Sequence, residues 1–308
     1  MNPFIGIVCQ LAAGVSFTLM GALVRHVSPR VPLGEIVFFR SFIAILPLLV
    51  MLAWRNELIL AVRTKNPLAH LSRSVSGILA MFLTFAALWY LPLAEATAIG
   101  FATPLFNVAL AAFFLGEKVR IWRWSAVLIG LLGVLVMLSP YIGQQDYDRD
   151  DAIGALIALA AALVISVAMT QVRYFSRTET TASLVFYFSL SCAVGGLLTI
   201  PLGWIWPSNG DWMALIALGV FGGFGQILIT ESYRYAPASV LAPFAYFTMV
   251  WSVIIGYLAF SELPKQEVFV GAAIVIAAGL FVAYRERKLG IERTKERAAE
   301  GPPAGTAV

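Results

Sequence analysis

The sequence predicts an all-α integral membrane protein: ten transmembrane helices arranged as two inverted five-helix repeats. Three observations predict it. Of 308 residues, 60% are hydrophobic and only 12% charged, whereas a soluble domain is about 45–50% apolar and about 25% charged. Apolar stretches of the roughly 20 residues needed to cross a bilayer follow one another nearly end to end. The two halves of the chain also carry matching landmarks at a constant spacing.

The ten spans are expected at 3–24, 33–53, 68–90, 93–115, 121–139, 152–172, 182–204, 212–234, 238–260 and 268–285. Residues that punctuate helices separate them: Ser28-Pro29, Asn66-Pro67, an acidic run from Asp146 to Asp151, and Pro207-Ser208-Asn209-Gly210. Each span is a helix because lipid leaves backbone groups no outside partner. The stretches are too long and too continuously apolar for barrel strands, which alternate. Seven of the eight tryptophans (Trp54, Trp89, Trp122, Trp124, Trp204, Trp206, Trp212) fall near span ends, as an interfacial belt would. Trp251 is the exception. After Tyr284 the composition becomes charged and then Pro/Gly/Ala-rich, which predicts a disordered cytoplasmic tail over 286–308.

Met-Asn-Pro-Phe lacks the basic region of a cleavable signal, so the first span is expected to remain in the mature protein. With the N-terminus inside, the inner loops and the tail hold 15 of the 21 Lys and Arg, and the outer loops hold 4: Arg25, Arg30, Arg149 and Lys265. Arg40 and Arg73 lie within spans. The asymmetry places both termini in the cytoplasm. Cys9 and Cys192 sit in apolar stretches and read as small buried hydrophobes rather than a disulfide or a metal pair.

Tyr90-Leu91-Pro92 aligns with Tyr235-Ala236-Pro237, and the same shift of 145 pairs Thr103 with Thr248 and Glu117 with Glu262. Each half, 1–145 and 146–285, has an odd number of spans, so the second enters the membrane upside down. Inverted repeats of this kind characterise secondary transporters, with the site near the midplane between the halves.

The residues carrying a more specific likeness are Arg40 in Phe-Phe-Arg-Ser-Phe, Pro104, Leu115-Gly116-Glu117, Tyr233 through Ser239, Leu241-Ala242-Pro243-Phe244 and Ser261-Glu262-Leu263-Pro264. They resemble the drug/metabolite transporter superfamily, specifically proteins with two EamA-type domains. The position matching Pro104 is Met249, which leaves a shared kink unsupported there. The resemblance implies a bacterial inner-membrane carrier of a small organic metabolite: an amino acid, a vitamin such as riboflavin, or a nucleoside-like cofactor such as S-adenosylmethionine. It implies no cofactor and no enzymatic activity.

The residues themselves exclude several chemistries. All five aspartates fall in expected outer loops, which removes an intramembrane aspartyl protease. His26 and His70 stand at span ends, away from any buried dyad or metal cluster. There is no Gly-rich phosphate loop, so no ATP site drives transport on this chain. The net charge of +4 lies mainly in loops and tail and reports orientation, not nucleic-acid binding.

Charged and polar groups inside spans are costly and so become site candidates. Arg40 either meets an anionic group of the substrate or fixes a neighbouring helix through its carbonyls. Arg73 is expected to snorkel to the cytoplasmic face. Glu231 is a candidate for proton coupling if burial lifts its pKa, or else an i,i+3 partner of Arg234. Glu95 suits a helix N-terminus, and Glu117 and Glu262 read as loop caps. The stripes Gly6, Gln10, Gly14, Thr18, Gly21 and Gly219, Gly223, Gln226, Thr230 permit tight packing, and they also present Gln10 and Gln226 to a shared cavity. Asn107 is an amide that lipid would disfavour. Tyr246 and Trp251 offer aromatic faces to a planar or cationic metabolite.

The expected machine is therefore an alternating-access carrier, monomeric or homodimeric. Its substrate would bind through Gln10, Arg40, Asn107, Gln226, Tyr246 and Trp251, with Glu231 coupling protons. A non-transporting receptor or scaffold is the alternative, and an ion channel fits less well because no filter motif or charged ring is present.

Overall fold

The computed structural model describes residues 3–64, 66–114, 121–141, 149–175 and 178–299. Thirteen α-helices run in chain order: α1 (Pro3–Val27), α2 (Leu33–Trp54), α3 (Leu58–Val62), α4 (Pro67–Tyr90), α5 (Leu93–Gly100), α6 (Thr103–Phe114), α7 (Ile121–Leu138), α8 (Arg149–Phe175), α9 (Thr181–Leu197), α10 (Asn209–Tyr235), α11 (Ala238–Ala245), α12 (Phe247–Phe260) and α13 (Gln266–Ala299). Ten stretches are long and apolar enough to cross a membrane, and they coincide with the ten expected spans. Local chemistry sets several starts. Asn66 accepts the Ala69 amide at 3.2 Å with Pro67 opening α4, Thr180 accepts Ser183, and Ser208 accepts Asp211.

Three elements differ from the sequence-based expectation. The fourth span is broken into α5 and α6, and the ninth into α11 and α12. Pro104, second residue of α6, has no N–H to offer the Gly100 carbonyl, so the helix restarts there. In the ninth span Met249 stands at that position, yet the helix still breaks, at Tyr246, three residues after Pro243. Thr248 Oγ1 donates to the Ala245 carbonyl at 2.8 Å and stands in for a backbone bond at the break. The third difference is the tail. It is helical rather than disordered as far as Ala299, because α13 continues through a segment rich in Arg, Lys, Glu and Ala, all strong helix formers. Residues 300–308 lie outside the described residues.

The packing obeys a pseudo-twofold exchange of the halves. The first span packs on the eighth (α1 on α10) and the third on the sixth (α4 on α8), which are the same pair after the exchange. The second packs on the seventh (α2 on α9) and the fifth on the tenth (α7 on α13), each pair mapping onto itself. Both self-paired contacts depend on glycine. A Cβ at Gly196 would lie 2.6 Å from the Phe38 amide nitrogen and 2.7 Å from the Gly34 carbonyl. One at Gly133 would lie 2.8 Å from the Gly271 carbonyl. Close backbone approach of this kind is how helices associate in lipid, where no hydrophobic drive separates helix from tail.

Candidate functional site

The two broken spans are partners under the shift of 145, and their breaks coincide: Phe101 aligns with Tyr246. The two rings meet edge to face, centroids 5.2 Å apart. The centre of the molecule is thus a crossing of two interrupted helices, one from each half. Tyr246 also sends its hydroxyl onto Gly279 of α13, where any Cβ would collide with it. Interrupted helices carry free backbone groups, and in membrane carriers such groups lie where a cavity or a ligand can use them.

Around this crossing the expected residues fall into separate groups. Gln10 is buried between α1 and α10 and accepts a hydrogen bond from Ser232 Oγ at 3.1 Å. Gln226, two turns away on α10, is half-buried and keeps its amide out of any hydrogen bond among the described residues. Trp251 lies against Gly14 of α1, with its indole Nε1 buried and unpartnered. Gln10 and Trp251 thus lie along α1, which packs on both α10 and α12. Asn107 is elsewhere: it faces α8, where its Oδ1 accepts Ser166 Oγ at 3.1 Å. Phe101 was missed, although its alignment with Tyr246 marks it in the sequence.

The ends of the bundle are tied by ion pairs. At the Val27 end, Arg25 Nε donates to Glu262 Oε1 at 3.0 Å, and its Nη1 donates to the carbonyls of Leu88 and Leu91 at 3.1 and 2.5 Å. Glu262 therefore serves as an inter-half partner, not the loop cap expected of it; Glu117 lies outside the described residues. Arg30 pairs with Asp211 at 2.8 Å and Lys265 with Asp151 at 3.3 Å. Glu95, fully buried, accepts the Tyr141 hydroxyl and the Lys265 amide rather than only facing its own helix terminus. At the Pro3 end, Glu179 accepts the Asn66 amide at 2.8 Å and Thr64 Oγ1 at 3.1 Å. Glu231 pairs there with Arg55 at 2.8 Å and Arg234 at 3.5 Å. The i,i+3 pair with Arg234 expected of it is present, and the added Arg55 lets it tie α10 to the end of α2.

The arginines inside the spans behave differently. Arg40 is buried, and its Nε has no hydrogen-bond partner. It lies against Gly222, where a Cβ would come within 3.1 Å of that nitrogen. Among the described residues no carbonyl accepts from it. Arg73 does not snorkel. Its side chain runs along α4 towards Gly77, away from the Pro67 end, and its guanidinium sits 4.5 Å over the Phe188 ring. Its Nε and Nη1 are buried without partners. Cys192 is fully buried, whereas Cys9 is only partly so. Among the described residues no group of three or more His, Cys, Asp or Glu is placed to hold a metal ion.

A sequence model of the EamA-like transporter family matches residues 4–139 and 152–284. The chain is 31% identical over 277 residues to the pseudopaline exporter CntI of Pseudomonas aeruginosa (strain UCBPP-PA14), covering 89% of this chain and 94% of that one. It is 30% identical over 285 residues to an S-adenosylmethionine uptake transporter of Rickettsia prowazekii, covering 92% and 94%. It is 28% identical over 295 residues to a riboflavin transporter of Vibrio cholerae, covering 93% and 95%. A crystal structure 22% identical in sequence matches the fold with a TM-score of 0.63 over 90% of this chain and 95% of its own.

Proposed function

Because the chain belongs to the EamA-like transporter family, we propose that it carries a small organic metabolite across the bacterial inner membrane by alternating access. It is a multi-pass membrane transporter and not an enzyme. The observation that best supports the mechanism is the pair of interrupted spans meeting at Phe101 and Tyr246. Rocking one half against the other about that crossing exchanges which end is tied. Release of Arg25 from Glu262 opens one mouth, and release of Arg55 from Glu231 opens the other. The excess of Lys and Arg in alternate loops supports an orientation with the Val27 end outside and both termini in the cytoplasm.

The substrate contacts we assign are Gln10 and Trp251 along α1, Gln226 on α10, Tyr246 at the crossing, Asn107 on α6 and Arg40 against Gly222. Amides and an indole N–H recognise a polar metabolite, and the rings stack on a planar part of it. Relatives named for export of pseudopaline and for transport of S-adenosylmethionine and riboflavin fit that range. Direction follows the gradients, since one cycle runs either way.

The test is untargeted mass spectrometry of cells and spent medium, with and without expression of the chain. A compound that rises in one pool and falls in the other names substrate and direction together. Gln226→Ala, at equal membrane expression, should lower that flux about tenfold. Unchanged flux removes Gln226 from the site, and no change in any compound on expression counts against transport.

A further inference from the structure

Five carboxylates within or beside the spans are engaged at the bundle ends, Glu95, Glu179, Asp211, Glu231 and Glu262, and Glu35, buried at the start of α2, accepts the Ile205 amide at 3.3 Å. Neither Arg40 nor Arg73 forms an ion pair among the described residues, and three of their nitrogens are buried and unbonded. The two side chains come from neighbouring helices at neighbouring levels. Arg73 ends beside Gly77 of α4, and Ser41, next to Arg40 on α2, donates to Met81 Sδ, one turn beyond Gly77 on α4, at 3.5 Å. Arg73 runs inwards along α4, and Arg40 stands against Gly222 of α10.

Gly222 is the midpoint of α10, thirteen residues from Asn209 and from Tyr235, or about 20 Å from either end at 1.5 Å per residue. A lipid headgroup does not reach that depth. Guanidinium groups that form no ion pair among the described residues are costly in a low-dielectric interior, and the cost falls when an anion arrives. A guanidinium presents a planar fork that matches carboxylate or phosphate oxygens, and Phe188 fixes one of the two in place from its far face.

We propose that Arg40 and Arg73 form the two jaws of a buried anion site, which takes a carboxylate or phosphate group of the transported metabolite. This rests on the transport reading above and narrows it to an anionic or zwitterionic substrate. The pair of guanidinium groups is a specificity device. A neutral or cationic compound leaves both charges uncompensated, and only an anion completes the cluster.

The full chain, purified in detergent, tests this by thermal unfolding in citrate, inorganic phosphate or chloride at matched ionic strength. Citrate or phosphate should raise Tm saturably where chloride does not. Arg40→Gln and Arg73→Gln should each weaken that response about tenfold or more, while Arg63→Gln, in an exposed turn, responds as the unaltered chain does. Without anion, both site variants should melt at or above the unaltered temperature, because an uncompensated charge has gone. If Arg40→Gln yields no folded protein, Arg40→Lys keeps the charge, loses the fork and should still weaken the response. Variants that melt lower yet respond normally to anion mean a scaffold role and overturn the proposal. So does an unaltered chain that responds to neither anion. Anion binding without flux in the metabolite comparison leaves the site standing and removes transport. Flux of a neutral compound untouched by both variants does the reverse.

Discussion

Arg25 and Arg40 sit on consecutive helices of the same half and meet opposite fates. Arg25 donates to two backbone carbonyls and a carboxylate, joining α1 to the end of α4 and to the start of the loop after α12. Arg40 is more deeply buried, and its Nε donates to nothing. Arg25 is satisfied by the fold and so contributes to holding it. Arg40 is left unsatisfied and so contributes to what the fold can bind. Exposure alone does not separate these roles, because both side chains are largely shielded; the inventory of partners does.

This contrast breaks or sharpens through graded substitutions. Arg25→Ala should have the largest effect, about 2–3 kcal/mol of lost stability, because Glu262 and two carbonyls lose their donor at once. Thermal unfolding checks it, and a loss under about 0.5 kcal/mol would mean the tie is only a surface contact. Glu231→Gln at the opposite end should cost about 1 kcal/mol, since Arg55 is 30% exposed and water replaces part of the pair. Gln10→Ala should cost about 1 kcal/mol or less. Ser232 Oγ retains its bond to the Ile229 carbonyl at 2.7 Å, so the hydroxyl is not stranded. Arg40→Gln completes the series with no loss of stability at all. A ranking that put Arg40→Gln beside Arg25→Ala would erase the distinction between the two.

Much of this was legible in the sequence, for physical reasons. Spans are visible because lipid demands about 20 apolar residues whatever they pack against. The repeat is visible because Tyr90 and Tyr235, or Glu117 and Glu262, keep their spacing. The break at Tyr246 was not legible: with Met249 in place of Pro104, the local signal at that position is that of a continuous helix. Nor were the partners. Glu262 reads as a turn residue until Arg25, 237 positions earlier, is folded against it. The direction of Arg73 was misread for a related reason. A long side chain near a helix start can run to either side, and the ring of Phe188, on another helix, decides which.

The crossing of Phe101 and Tyr246 has a consequence for the resting state of the carrier. A residue on a twofold axis meets its own copy, and these two differ by one hydroxyl group. In the proposed cycle, identical halves would make the inward-facing and outward-facing shapes equal in free energy. The hydroxyl of Tyr246, seated against Gly279 with no counterpart on Phe101, is one place on that axis where the halves differ, and so one place where a preference for either side of the membrane can be set.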